Sequence, residues 1–228
     1  MSFRTFAAVV VTVTGVAILG PSAMAATPGA HQVTGRQLKS ALVPASAIGS
    51  SSTANAEFDT GRGLEHGPAF FRLPTMSCHD FWVLFGVTGY GETASASDRL
   101  NDFSSAQFHQ QIVYQFASPR EASSFLSQEE AKYPKCRSFV VSGGGPTLRV
   151  AVYSMSRTRV GGHQAFQVAE TETISSFPAT PLYVHLSFTV DGADVFIVTT
   201  ENDSNSTPVN PSLPAFTLRL IARVAALR

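Results

Sequence analysis

Residues Asp191 and Gly192 stand between two runs, 182–190 and 193–200, that are rich in Val, Phe, Ile and Thr. An Asp-Gly pair between such runs favours a tight hairpin, so the two runs are expected to be antiparallel neighbours. Three further stretches, 139–141, 148–155 and 165–174, share this β-branched and aromatic composition. Upstream, residues 106–116 set Phe108, Gln110, Ile112, Tyr114 and Phe116 on one side of a two-residue alternation, the period of a half-buried strand. The chain is therefore expected to build an antiparallel sheet of about five to six strands.

Helical signals lie outside this block. Ser118 is a candidate N-cap, Pro119 suits the first helical position and Glu121 completes a capping-box spacing. Ala122, Phe125 and Leu126 would form that helix's inner face, and Pro134 closes it. Residues 74–85 space Cys78, Phe81, Trp82 and Phe85 at three and four residues, one apolar helical stripe that Gly86 ends. Residues 211–228 carry Phe216, Leu220, Val224 and Leu227 along one side and should cover a sheet face. Strands grouped together, with helices around them, define an α+β class with helices flanking the antiparallel sheet.

The first 25 residues read as an export signal: Arg4, an apolar run from Phe6 to Leu19, then Ala23-Met24-Ala25 as the cleavage site. The run is shorter than the ~20 residues of a bilayer span, and no later apolar stretch comes near that length, so no membrane span is expected after cleavage. The expected location is secreted, either released or held in the wall. Loss of Arg4 turns 16 basic residues into 15 against 16 acidic ones, a net charge of −1 with His neutral. Such sparse, mixed charge lacks the basic surface of a nucleic-acid binder. Residues 26–66 form an Ala/Ser/Thr/Gly-rich leader. It contains a short helix near 35–43, capped by Thr34, stopped by Pro44 and presenting Leu38, Ala41 and Leu42 on one face. Whether so short a helix docks on the rest is open. The main domain is expected over 67–228.

Cys78 and Cys136 are the only cysteines. In an oxidising compartment two thiols most simply form one disulfide, here tying the first domain helix to the chain beyond the second. A catalytic thiol is the competing reading.

The order of these features resembles the extracellular sensor-domain family of the actinobacterial serine/threonine kinase PknH and of many small secreted proteins and lipoproteins of those bacteria. The resemblance rests on Gln37-Leu38-Lys39-Ser40-Ala41-Leu42-Val43-Pro44, the helix carrying Cys78, and Tyr114-Gln115-Phe116-Ala117-Ser118 leading into a helix that ends before Cys136. It spans residues 36–226 and implies an antiparallel sheet flanked by helices, with a cleft for an unidentified ligand. Domains of this kind often carry a second disulfide; this chain has cysteines for one. No kinase portion is present in it.

No nucleophile elbow, H-E-x-x-H, Walker loop or G-x-G-x-x-G occurs, so no catalytic residue is assigned. Cys78-His79-Asp80 are consecutive, and neighbours on a helix point in different directions, which disfavours a relay. His31, His66, His109, His163 and His185 show no paired ligand spacing, so neither a metal nor a cofactor is expected. Gly143-Gly144-Gly145-Pro146 and Gly161-Gly162 follow strands without opening helices and read as loops rather than phosphate cradles. Asn202-Asp203-Ser204 and Asn205-Ser206-Thr207 match the glycosylation pattern and read as a polar surface loop. Phe70, Phe71, Phe81, Phe85 and Tyr90 read as core. Trp82, the only tryptophan, is the candidate ligand-contacting residue. Three classes follow: an exported non-enzymatic binding module for a small molecule, envelope component or protein; a wall-associated interaction protein; and a hydrolase assembled from distant loops. A deep apolar pocket with a few convergent polar groups favours the first, a flat exposed patch the second, and paired carboxylates or a Ser–His contact of perturbed acidity in a cleft the third.

Overall fold

The computed structural model describes residues 33–48, 52–55, 76–83, 90–102, 107–142, 147–176, 181–202 and 212–228. The export signal at 1–25, His31, His66, Phe70, Phe71, Phe85, Gly143 to Pro146 and Asn205 lie outside the described residues.

An eight-stranded sheet, antiparallel at every pairing, forms the centre, in the order β1-β2-β3-β8-β7-β6-β5-β4. The strands are β1 (Ser52–Asn55), β2 (Ala94–Asp102), β3 (Gln107–Gln115), β4 (Ser138–Val141), β5 (Leu148–Val160), β6 (His163–Ile174), β7 (Leu182–Asp191) and β8 (Asp194–Asn202). The α+β class stands, while the expected five to six strands become eight. The two additions, β1 and β2, read Ser-Thr-Ala-Asn and Ala-Ser-Ala-Ser-Asp-Arg-Leu-Asn-Asp, with little of the β-branched and aromatic content that marks a strand. β2 is held by its register with β3, and β1 by its register with β2, rather than by their own propensity.

Gly192 and Ala193 connect β7 to β8, with Asp191 paired to Asp194 and Gly192 at φ +58. Asp191 thus ends the strand, and the turn proper begins at the glycine. Gly161 and Gly162, at φ +57 and +91, form the equally tight β5–β6 connection. Two successive positive φ values are what a two-residue hairpin of matching twist requires, and glycine adopts them without Cβ strain.

Helix α1 (Gly35–Ala41) and helix α4 (Leu213–Ala225) cover one sheet face. Thr34 caps α1 in a full capping box with Gln37. Leu38 and Ala41 pack with Leu42, Val43, Leu100, Val113, Phe196, Val198, Phe216 and Leu220 in one core. The leader helix is therefore docked. Its anchors are polar as well: the buried Gln111 amide accepts from the Val43 N–H and donates to the Val43 carbonyl, both at 2.8 Å. Gln115 accepts from the Val33 N–H at 3.0 Å. Arg223 of α4 donates to the Ala41 and Ser40 carbonyls at 2.8 and 3.1 Å, satisfying orphan groups at the end of α1. Residues 31–228 form one compact unit.

The opposite face carries α2 (Cys78–Val83) and α3 (Pro119–Lys132). Ser118 caps α3 as its sequence predicts, accepting from the Glu121 N–H at 3.3 Å. Ala122, Phe125 and Leu126 enter a second core with Ile112, Tyr114, Val168, Leu186, Phe188, Val195 and Ile197. A 3-10 turn, Tyr133–Lys135, follows α3 and delivers Cys136 to Cys78. The disulfide joins them across a Cα separation of 5.4 Å. With both cysteines so engaged, the catalytic-thiol reading falls.

Candidate functional site

Strand β6 presents Phe166, Val168, Glu170, Glu172 and Ile174 to the α2/α3 face, because residues two apart share a side. The first two belong to the core with α3; the two glutamates continue the same face beyond it. Strand β8 does the same, with Val195 and Ile197 in the core and then Thr199 and Glu201. Between them runs β7, with Val184 opposite Glu170 on one side and Glu201 on the other. At a strand spacing of about 4.8 Å, the Cα atoms of Glu170 and Glu201 lie roughly 10 Å apart across Val184. Arg99 of β2 closes the row from the far side; it pairs with Gln110, which pairs with Thr199.

Aromatic groups face this floor. Phe81 and Trp82 come from α2, Tyr133 from the 3-10 turn and Phe139 from β4, with Phe81 edge-on to Tyr133 at 5.0 Å. Together with Leu148, Ile174 and Leu182 they enclose a cavity of about 520 Å³. That volume falls within the range of roughly 300–1,000 Å³ typical of small-molecule sites. The disulfide holds the base of α2 against the end of the 3-10 turn, and so positions two aromatic side chains of this wall.

The polar groups of the cavity are unevenly satisfied. The Arg99 guanidinium reaches both Glu201 oxygens, at 3.3 and 3.5 Å, and lies 5.7 Å from the Phe108 ring centre. The Trp82 indole lies beside the Glu172 carboxylate and favours its charged form. Glu170 is only 3 % exposed, and among the described residues no group donates to its carboxylate. The buried Thr199 hydroxyl likewise has no hydrogen-bond partner there. Burial, with Glu172 and Glu201 adding repulsion, pushes the Glu170 carboxyl up to about 8. Glu172 is raised to about 7, by burial first and by Glu201, against the opposing pull of Trp82 and Arg99. Glu201 is also raised by burial, with Arg99 opposing. These are carboxylates whose charged form lacks compensation.

Of the sequence-selected residues, the fold brings Trp82 to the cavity wall, while Cys78 and Cys136 lie just behind it. His79 contacts Asp80 at 3.3 Å on the exposed side of α2, outside the cavity. His109 stacks on Phe216 at 5.6 Å, and His185 meets Tyr153 edge-on, both on the other sheet face. His163 pairs with Asp191 at the hairpin end of the sheet. Among the described residues no group of three or more His, Cys, Asp or Glu converges to hold a metal ion, the three cavity glutamates included.

Sequence reasoning missed Arg99, Glu170, Glu172 and Glu201. A signal existed for the glutamates: they fall on the same alternation as Phe166, Val168 and Ile174, or as Val195 and Ile197, where a charge is out of phase with burial. Arg99 offered none, since its segment does not read as a strand.

Fold and cavity together define an α+β domain in which an antiparallel sheet and a disulfide-pinned helix enclose a small-molecule-sized chamber. The chain is similar to the extracellular domain of PknH from Mycobacterium tuberculosis, with a TM-score of 0.60 over 87 % of this chain and 100 % of that one. Identity over the match is 14 %, so the likeness is one of fold: the chain shares the fold of that domain. An uncharacterised protein of Mycobacterium smegmatis, an Rv0999 ortholog, also aligns, at TM-score 0.31 and 12 % identity over 60 % of this chain and 69 % of that one. No protein-family model and no curated protein sequence matches. Among the described residues no helix is long and apolar enough to cross a membrane.

Proposed function

We propose that this is an exported, non-enzymatic, sensor-like binding domain whose ligand occupies the chamber between α2 and the β6–β7–β8 floor. One observation carries the reading. The chamber lining holds a buried hydroxyl, Thr199, that the described residues leave without a hydrogen-bond partner, beside a carboxyl residue, Glu170, that is 3 % exposed. Buried polar groups are ordinarily satisfied, and a ligand entering here would supply what the protein does not. The export signal, the disulfide and a fold shared with an extracellular domain support a place outside the cytoplasm. Trp82, on the wall and beside Glu172, is the residue whose environment a ligand would alter first.

Native mass spectrometry of the secreted protein, compared with a denatured non-reduced sample, tests this. Extra mass lost on denaturation supports the reading and identifies the class of ligand. A bare chain that also shows no Trp82 fluorescence change with any envelope extract would count against a ligand chamber.

The clustered glutamates favour a second reading, hydrolysis by general acid–base catalysis, because Glu170 and Glu172 titrate near neutrality. Turnover separates the two: a binding domain returns a bound compound unchanged, whereas a hydrolase returns fragments.

A further inference from the structure

Resting on the binding-domain reading, we propose that the chamber recognises an amphipathic organic cation, with an ammonium group against Glu170 and Glu172 and an apolar body against Phe81, Trp82, Tyr133 and Phe139. Among the described residues three carboxylates face this space and one cation, Arg99, answers them; Arg99 is engaged by Glu201 across the floor. Glu170 and Glu172 lie side by side on this floor with no cation of the described residues paired to either, and Glu170 is 3 % exposed. A positive ligand group stabilises their ionised form, which burial disfavours. Aromatic walls suit the same ligand, because the faces of Trp, Tyr and Phe attract cations, and ammonium recognition elsewhere uses such cages. A bare metal ion fits less well, since the glutamates do not converge on one point.

The groups facing Glu170 are Glu172 on its own strand, Glu201 on β8, Arg99 on β2 and Tyr133 after α3, with Glu129 of α3 acting on Tyr133. From α3, Lys132 turns instead to the Met76 carbonyl. Arg149 of β5 alternates away from the Leu148 and Val150 side. Because Glu170 and Glu172 hold protons near neutrality, an entering cation displaces them, and its affinity falls as the pH is lowered.

The test uses the mature protein and three probes with one aromatic body: 4-phenylbutylamine, 4-phenylbutanol and 4-phenylbutyrate. They are followed by calorimetry and by the fluorescence of the single tryptophan. The amine, with a pKa near the lysine value of about 10.4, stays charged throughout. We expect it to bind at least about tenfold more tightly than the alcohol at pH 8, and to weaken about tenfold or more on going to pH 6, with protons released to the buffer on binding. The alcohol should change by less than about twofold, and the butyrate should not saturate. In Glu170→Gln the amine should lose about tenfold and most of its pH slope. Equal binding of amine and alcohol, or an amine affinity that ignores pH, overturns the cation assignment and leaves the chamber a binding site. Saturation by none of the three overturns both. The wild-type probe series decides the matter even if the variant does not fold.

Discussion

Replacing Glu170 by Gln should make the domain more stable at neutral and alkaline pH, and leave it nearly unchanged in acid. In the unfolded chain this carboxyl titrates at its ordinary value of 4.5, and in the folded chamber at about 8. The folded state therefore binds the proton more tightly. Its favourable contribution is complete below pH 4.5 and is lost as pH rises through about 8. Each pH unit between the two values costs about 1.4 kcal/mol, which sets a ceiling of about 5 kcal/mol over the interval. Between pH 5 and pH 7.5 the expected divergence of the two proteins is about 3 kcal/mol, and coupling to Glu172 and Glu201 can only redistribute it among the three. For a domain of this size that corresponds to a shift in Tm of roughly 6–12 °C. Urea unfolding of wild type and Glu170→Gln at half-unit steps from pH 4.5 to 8.5 measures it directly. Stability curves that run parallel over this range would refute the claim that an uncompensated carboxylate lies in the chamber.

Three further outcomes follow from the fold. Cys78→Ser should destabilise the domain by up to about 4 kcal/mol, since the bridge closes a 58-residue separation, and an unchanged urea midpoint would contradict a structural disulfide. Leu38→Ala, in the fully buried face of α1, should cost about 2–5 kcal/mol, whereas an undocked leader would lose less than about 0.5 kcal/mol. Gly161→Ala should cost about 1–2 kcal/mol from positive φ, the exposed Leu218 side chain being free to move away from the added methyl; thermal melts that overlay those of wild type would show that the β5–β6 turn is otherwise built.

Local chemistry was enough to read much of the scaffold. Thr34 and Ser118 cap their helices with partners three residues away, and Asp191-Gly192 marks a hairpin, because the donors, acceptors and dihedral freedom involved lie within a few residues. The β-branched runs of β5 to β8 and the amphipathic stripe of α4 were legible for the same reason. The cysteine pair could be read because two thiols in an oxidising compartment leave few alternatives. Gly161-Gly162 carried an equally local signal, and its hairpin follows once both flanking runs are recognised as strands.

Strands β1 and β2, the docking of α1 and the chamber belong to the tertiary structure. Ser52–Asn55 and Ala94–Asp102 become strands through backbone hydrogen bonds to neighbours that no short window contains. Leu38 finds its core, and Val43 the Gln111 amide, across 68 positions of sequence in the latter case. Glu170 and Glu172 are two residues apart, but Glu201 and Arg99 join them only when β8 and β2 enter the sheet, and Trp82 faces them only when the disulfide sets α2 in place. Periodicity reports which side of an element a residue occupies. Burial without a partner depends on what the rest of the chain brings to that side, and that is decided by the assembled sheet.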